Sequence, residues 1–195
     1  MDRVWLLTWT TYGTRLPGDD RGHVSNVRSH DGPERRHNIP GTEPDAKQRG
    51  LQLAARANLV GDPIYLDVDL VQPLFEQFRE TESHRGWILL AVGIMANHVH
   101  LVVGVPGDPE PDTILRDFKS YGSRKLNRLR VKPVSGTWWT EGGSKRKTEG
   151  REAILAVIEY VRNQEFPLLI WVNEEYLRSI GEGDSILGER GASAP

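Results

Sequence analysis

"WILLAVGIMANHVHLVVGV", residues 87–105, is the stretch on which the fold turns. It reads as two apolar strands joined by a tight connection at Ala96-Asn97. Side chains alternate along a strand, so His98 and His100 share one face while Val99, Leu101 and Val103 share the other. The odd-numbered face is apolar and suits burial against helices. The two histidines then point together, their Cβ atoms roughly 7 Å apart by strand geometry, within reach of a single cation. Neutral imidazole is a good metal ligand, and two on a rigid strand are held at low entropic cost. The same pair equally suits a half-exposed face or core hydrogen bonds. His-x-His by itself does not separate these readings.

Outward from this hairpin, "RVWLLTWTTY" (3–12) is rich in Trp, Thr and Leu and reads as a first strand. Residues 13–45 carry Gly, Pro, Asp and Arg with little periodicity. They are too long for an ordinary loop and form either a functional excursion or a partly disordered one. "DAKQRGLQLAARANL" (45–59) and "LDVDLVQPLFEQFRETESHRG" (66–86) read as helices. Asp67 or Asp69 is expected to cap the second, with Pro73 tolerable only in its first turn. "PDTILRDFKSYGSRKLNRLR" (111–130) is the best helix in the chain, with Asp112 as its expected N-cap. "GTWWTEGGSKRKT" (136–148) suggests a short strand running into a basic loop. "EGREAILAVIEYVRNQ" (149–164) is another helix, and the tail over 181–195 is expected to be flexible. The order βααββαβα predicts an α+β sheet with packed helices, as one domain over 1–180.

The 195 residues suffice for one real core, and net charge −2 leaves any basic surface local. The chain has no cysteine, which removes thiolate metal sites and cysteine nucleophiles and suits a reducing cytoplasm. The N-terminal stretch lacks a signal-like apolar core. No apolar run approaches the roughly 20 residues that span a bilayer, so a cytoplasmic protein with no membrane partner is expected.

On the 111–130 helix, a 3.6-residue period stripes Leu115, Phe118, Gly122, Leu126 and Leu129 together, with Tyr121 at the stripe's edge. The other faces carry Arg116, Lys119, Arg124, Lys125, Arg128 and Arg130, a local electrostatic footprint for phosphates. A tyrosine at a stripe edge also serves plain packing, and a basic face also serves plain solvation. Gly122 suits close helix packing, or room for a nucleophile to move. A His pair for a cation, a phenol and a basic helix together point to phosphoryl transfer. Tyrosine can act as a covalent nucleophile, and a metal on imidazoles neutralises the phosphate oxygens under attack.

"HVHLVV" followed about twenty residues later by "FKSY" resembles the HUH (His-hydrophobe-His) single-tyrosine transposases, which include insertion-sequence and REP-associated tyrosine transposases. "LLTWTTYGTRLPGD" and "GTWWTEGGSKRKT…AILAVIEYVRNQ" resemble that family's opening strand and its last strand and helix. The resemblance covers roughly residues 3 to 170. It implies a ferredoxin-like antiparallel sheet with packed helices, with His98 and His100 binding Mg2+ or Mn2+. It also implies Tyr121 as the nucleophile on single-stranded or hairpin DNA, leaving a 5'-phosphotyrosyl link. A homodimer is one of the family's forms.

Members often place Gln or Asn one helical turn after the tyrosine as a third metal ligand. After Tyr121 that position is Lys125, and Asn127 is about 120° around the helix. This departure favours, as an alternative, a domesticated hairpin-binding protein with weak or no cleavage. A histidine-dependent RNA phosphodiesterase is more distant, because His23, His30, His37 and His84 supply no second pair. For DNA contact the sequence offers Lys119, Arg124, Lys125 and Arg128 on the helix and Lys145, Arg146 and Lys147 in the basic segment. Of Trp138 and Trp139, strand alternation predicts one in the core and one outward, available to stack on a base.

Overall fold

The two apolar runs form an antiparallel hairpin in the computed structural model, which describes residues 1–19 and 49–180. Most of the 13–45 excursion and the 181–195 tail lie outside the described residues. In chain order the elements are β1 (Arg3–Thr10), α1 (Arg49–Ala57), α2 (Val68–Arg85), β2 (Ile88–Ile94), β3 (His98–Val105), α3 (Pro111–Leu129), β4 (Ser144–Thr148), α4 (Arg151–Arg162) and β5 (Leu169–Val172). The Met95 amide donates to the His98 carbonyl at 2.9 Å, leaving Ala96-Asn97 as the two-residue connection.

The sheet order is β4-β1-β3-β2-β5, with every neighbouring pair antiparallel. The first four strands and the helices between them make a ferredoxin-like βαββαβ arrangement. In it, β1 and β2 run parallel across β3, and β3 and β4 run parallel across β1. Right-handed crossovers then place both connecting helices on one face of the sheet. The cores agree. Leu70, Leu74 and Phe78 of α2 and Ile114, Leu115, Phe118 and Leu126 of α3 bury with Val99, Leu101 and Val103. The opposite face is covered by α4, whose Val157, Ile158 and Val161 pack on Val4, Leu6, Leu90 and Val102.

Local details depart from expectation for identifiable reasons. Asp67 caps α2, accepting from the Asp69 and Leu70 amides. Pro73 lies in the second turn rather than the first, where it costs one backbone bond; burial of Leu70, Val71, Leu74 and Phe78 around it offsets that loss. The residue before α3 is Glu110, with no side-chain cap. Pro111 presets the first turn instead. Asp112 is therefore inside the helix, where it pairs with Lys145 at 2.6 Å. The expected strand over "GTWW" is displaced: the basic segment itself is the edge strand β4, and Trp139 makes only an isolated bridge to Thr11. β5, absent from the sequence reading, pairs with β2 at the other edge.

Candidate active site

The His pair lies on the α4 side of the sheet. Directly opposed residues in an antiparallel ladder share a face, so Thr8 stands beside His100 and Thr10 beside His98 on β1, while Gly93 stands beside His100 on β2. The absent side chain at Gly93 lets α4 settle low at this point: a Cβ there would lie 3.1 Å from Val161 Cγ1 and 3.3 Å from Ile170 Cδ1. The preceding residue on α4, Tyr160, is thereby brought against His100. Their rings are 5.2 Å apart edge-to-face, and the Tyr160 hydroxyl is 3.4 Å from His100 Nε2. Tyr160 remains 49% exposed, so an incoming ligand can reach its phenol.

His98 and His100 stand with ring centroids 4.8 Å apart. His98 Nδ1 bonds Asn97 Oδ1 at 2.6 Å, and His100 Nδ1 bonds Thr8 Oγ1 at 2.7 Å. Burial, and then the neighbouring charge of His98, push His100 down to about 3 from 6.5, opposed by a hydrogen bond from Gln164. His100 is thus neutral at physiological pH, the form that ligates. The Gln164 amide nitrogen donates to the Tyr160 carbonyl at 2.9 Å. With that nitrogen committed, the Gln164 side-chain oxygen is the atom left to accept or to ligate.

No group of three or more His, Asp or Glu suited to a metal occurs among the described residues. The donor set here is instead two imidazoles and an amide oxygen. That set fits a divalent cation whose other positions are water. Chemically, the arrangement can hold one cation beside an accessible phenol.

Tyr121 is not part of this constellation. Its helix packs on the odd-numbered face, so the sheet separates Tyr121 from the histidines. Its ring carries Arg124 at 5.1 Å instead. Lys125 and Asn127 are on the same distant helix, and Asn127 accepts from Trp138 Nε1. Gly122 serves packing: a Cβ there would lie 2.9 Å from Leu74 Cδ1 of α2.

The residues missed from sequence are Tyr160 and Gln164, and their signal was present. A tyrosine with Gln one turn later occurs in "EYVRNQ" and nowhere on α3. By spacing alone Tyr160 fits the core face of its helix, yet Val157, Ile158 and Val161 fill that face.

The basic residues divide. Lys119 donates to the Thr140 and Gly142 carbonyls at 2.7 and 2.6 Å, so its ammonium serves the fold rather than an outside phosphate. Lys145 is engaged by Asp112 and Lys147 by Glu149. Arg124, Arg128 and Arg146 are exposed, and Lys125 is half-buried. Neither tryptophan faces outward. Trp138 and Trp139 are both buried, Trp139 edge-to-face with Trp9, so neither can stack on a base.

The profile of the family described as "Transposase IS200 like" matches residues 64–164, and the chain belongs to that family. No curated relative matches the chain. Among solved structures it is similar to a REP-associated tyrosine transposase bound to a REP hairpin, with 12% identity, 82% of this chain and 64% of that chain covered, and a TM-score of 0.45. The chain thus spans under two thirds of that protein's length. It is also similar to a protein of Deinococcus radiodurans R1 described as a candidate transposase, with 14% identity, 85% and 94% covered, and a TM-score of 0.42. No helix among the described residues is long and apolar enough to cross a membrane.

Proposed function

We propose that this protein nicks and rejoins single-stranded or hairpin DNA with Tyr160 as the nucleophile, in a site completed by His98, His100 and Gln164. The observation that carries the reading is the accessible Tyr160 phenol 3.4 Å from a neutral, buried histidine. Family membership supplies the reaction class. Tyr160 Oη attacks the phosphorus of a DNA phosphodiester, losing its proton to solvent on its exposed side. The bond from phosphorus to the 3'-oxygen breaks, and that oxygen takes up a proton. The product is a 5'-phosphotyrosine and a free 3'-hydroxyl. Attack by another 3'-hydroxyl reverses the step and releases Tyr160, so the phosphodiester's energy is conserved throughout.

His98, His100 and Gln164 would hold Mg2+ or Mn2+, which when bound supplies positive charge at the phosphate oxygens. The strand keeps both imidazoles fixed, and the i,i+4 spacing keeps Gln164 on the same side of α4 as Tyr160. The alternative of a hairpin-binding protein without cleavage drew on Lys125 in the third-ligand place. With Tyr160 as the nucleophile that place falls to Gln164, and the alternative loses its ground.

The test is a denaturing gel of labelled hairpin DNA with protein and Mn2+. Wild type and Tyr121→Phe are expected to form a covalent adduct, and Tyr160→Phe none, while all three bind the hairpin alike. His98→Ala, His100→Ala or EDTA should abolish the adduct and spare most binding, because affinity comes mainly from phosphate contacts. An adduct formed by Tyr160→Phe but not by Tyr121→Phe would reverse the assignment.

A further inference from the structure

Both histidine rings are held from behind, and by different elements. A metal-ligating imidazole carries its lone pair on one nitrogen and a proton on the other, and that N–H needs an acceptor. At His98 the partner of Nδ1 is Asn97 Oδ1, 2.6 Å away. An amide oxygen can only accept, so Nδ1 carries the proton and Nε2 the lone pair. At His100 the partner of Nδ1 is Thr8 Oγ1, 2.7 Å away, and Nε2 is the nitrogen facing Tyr160. A hydroxyl can accept, so the same tautomer is available to both rings.

The two partners are themselves fixed. Thr8 stands directly opposite His100 in the β1–β3 register, so the ladder sets its place. The Asn97 carbonyl accepts from the Thr11 amide at 2.9 Å and from Thr11 Oγ1 at 3.1 Å, and Thr14 Oγ1, which donates to the Thr11 carbonyl at 2.9 Å, braces the same turn. Such fastening of a hairpin residue locks the backbone from which the Asn97 side chain reaches His98.

We propose that Asn97 and Thr8 are positioning residues that hold His98 and His100 as Nδ1–H tautomers, so that both rings present Nε2 to one divalent cation beside Tyr160. This rests on the reading of the His pair as metal ligands. Neither residue touches the reacting atoms. They act through the rings, one from the hairpin and one from the neighbouring strand.

The test uses the full chain without DNA. Mn2+ affinity is measured by electron paramagnetic resonance, and long-range 1H–15N spectra of the metal-free protein report the tautomers. Thr8→Val keeps the β-branched shape in a strand and removes only the hydroxyl. It is expected to weaken Mn2+ roughly 10- to 100-fold, as loss of such outer partners does, and to mix the His100 tautomers with an unchanged melting curve. Thr8→Ser should restore both. Asn97→Ala should act in the same way on His98, and Asn97→Asp, which keeps an acceptor, should not. Wild-type Mn2+ affinity in Thr8→Val and Asn97→Ala would overturn the proposal. His98→Ala, run alongside, separates the two levels: if it too leaves Mn2+ affinity unchanged, the metal reading itself fails, and if it alone abolishes binding, only the positioning role does.

Discussion

Lys119 shows how the fold can claim a residue that its sequence assigns to a ligand. On α3 it lies among basic neighbours and suggests phosphate contact. In the structure it is half-buried, with its ammonium on the Thr140 and Gly142 carbonyls. Burial pushes it down to about 8 from 10.5, Glu141 pulling it up and Lys145 pushing it further down. Below about pH 8 the ammonium is charged in both the folded and unfolded chains. Between about 8 and 10.5 the unfolded chain holds a proton that the folded one has lost, so stability attributable to this group rises with pH across that window and is level above it. Urea midpoints taken from pH 7 to 10.5 should therefore show a rising contribution in wild type that is absent in Lys119→Met. Parallel curves for the two proteins would mean that Lys119 is not desolvated as described.

At the scale of elements, Gly93 and Gly122 each admit a helix, one on either face of the sheet. At Gly93 an added methyl meets Val161 and Ile170 side chains, and at Gly122 it meets Leu74. Overpacking of this kind costs about 1–3 kcal/mol, so both Gly93→Ala and Gly122→Ala should lower the melting temperature. Only Gly93→Ala lifts α4 and moves Tyr160 from His100. Displacements near 1 Å can cost on the order of 100-fold in rate, and covalent-adduct formation should slow at least tenfold in Gly93→Ala at a temperature where both variants are folded. Equal rates in the two variants would remove the role given to α4.

The same contrast explains what was legible in the sequence. Period-2 alternation gave β3, its apolar odd face and the paired histidines correctly, and the 3.6 period gave α3 and its stripe as far as Leu126, with Leu129 exposed at the helix end. What periodicity does not give is the face of the sheet that a helix covers. That is set by crossover topology, which puts α2 and α3 together on the apolar Val99-Leu101-Val103 face. By that topology Tyr121 lies across the sheet from the histidines. β4 escaped notice because "SKRKT" has no apolar alternation, a common state for an edge strand, where charged side chains discourage further pairing. β5, four residues at the opposite edge, was too short to signal itself.

For the whole molecule, the two faces of the sheet carry different side chains, and with the function proposed above that division says where a DNA strand would run. In the proposed site, the His pair, Tyr160 and Gln164 all come from one chain. Arg124, Lys125 and Arg128 belong to α3, on the far side of the sheet. In β4, Arg146 stands opposite Leu6 and so shares the α4 side with the histidines, exposed and without an ion-pair partner among the described residues. A strand whose phosphate reaches Tyr160 lies along that side, within reach of Arg146 and not of α3. Arg146→Gln is therefore expected to weaken hairpin affinity about tenfold, in line with the roughly 1.5 kcal/mol or more of a charged hydrogen bond. It should also lower the slope of log affinity against log salt by about one unit. Replacing Arg124, Lys125 and Arg128 together by Gln should leave both quantities near wild type. A fall of about three units in the triple variant with none in Arg146→Gln would put the bound strand on the α3 face, out of reach of Tyr160, and the chemistry would then have to be sought on that side of the sheet.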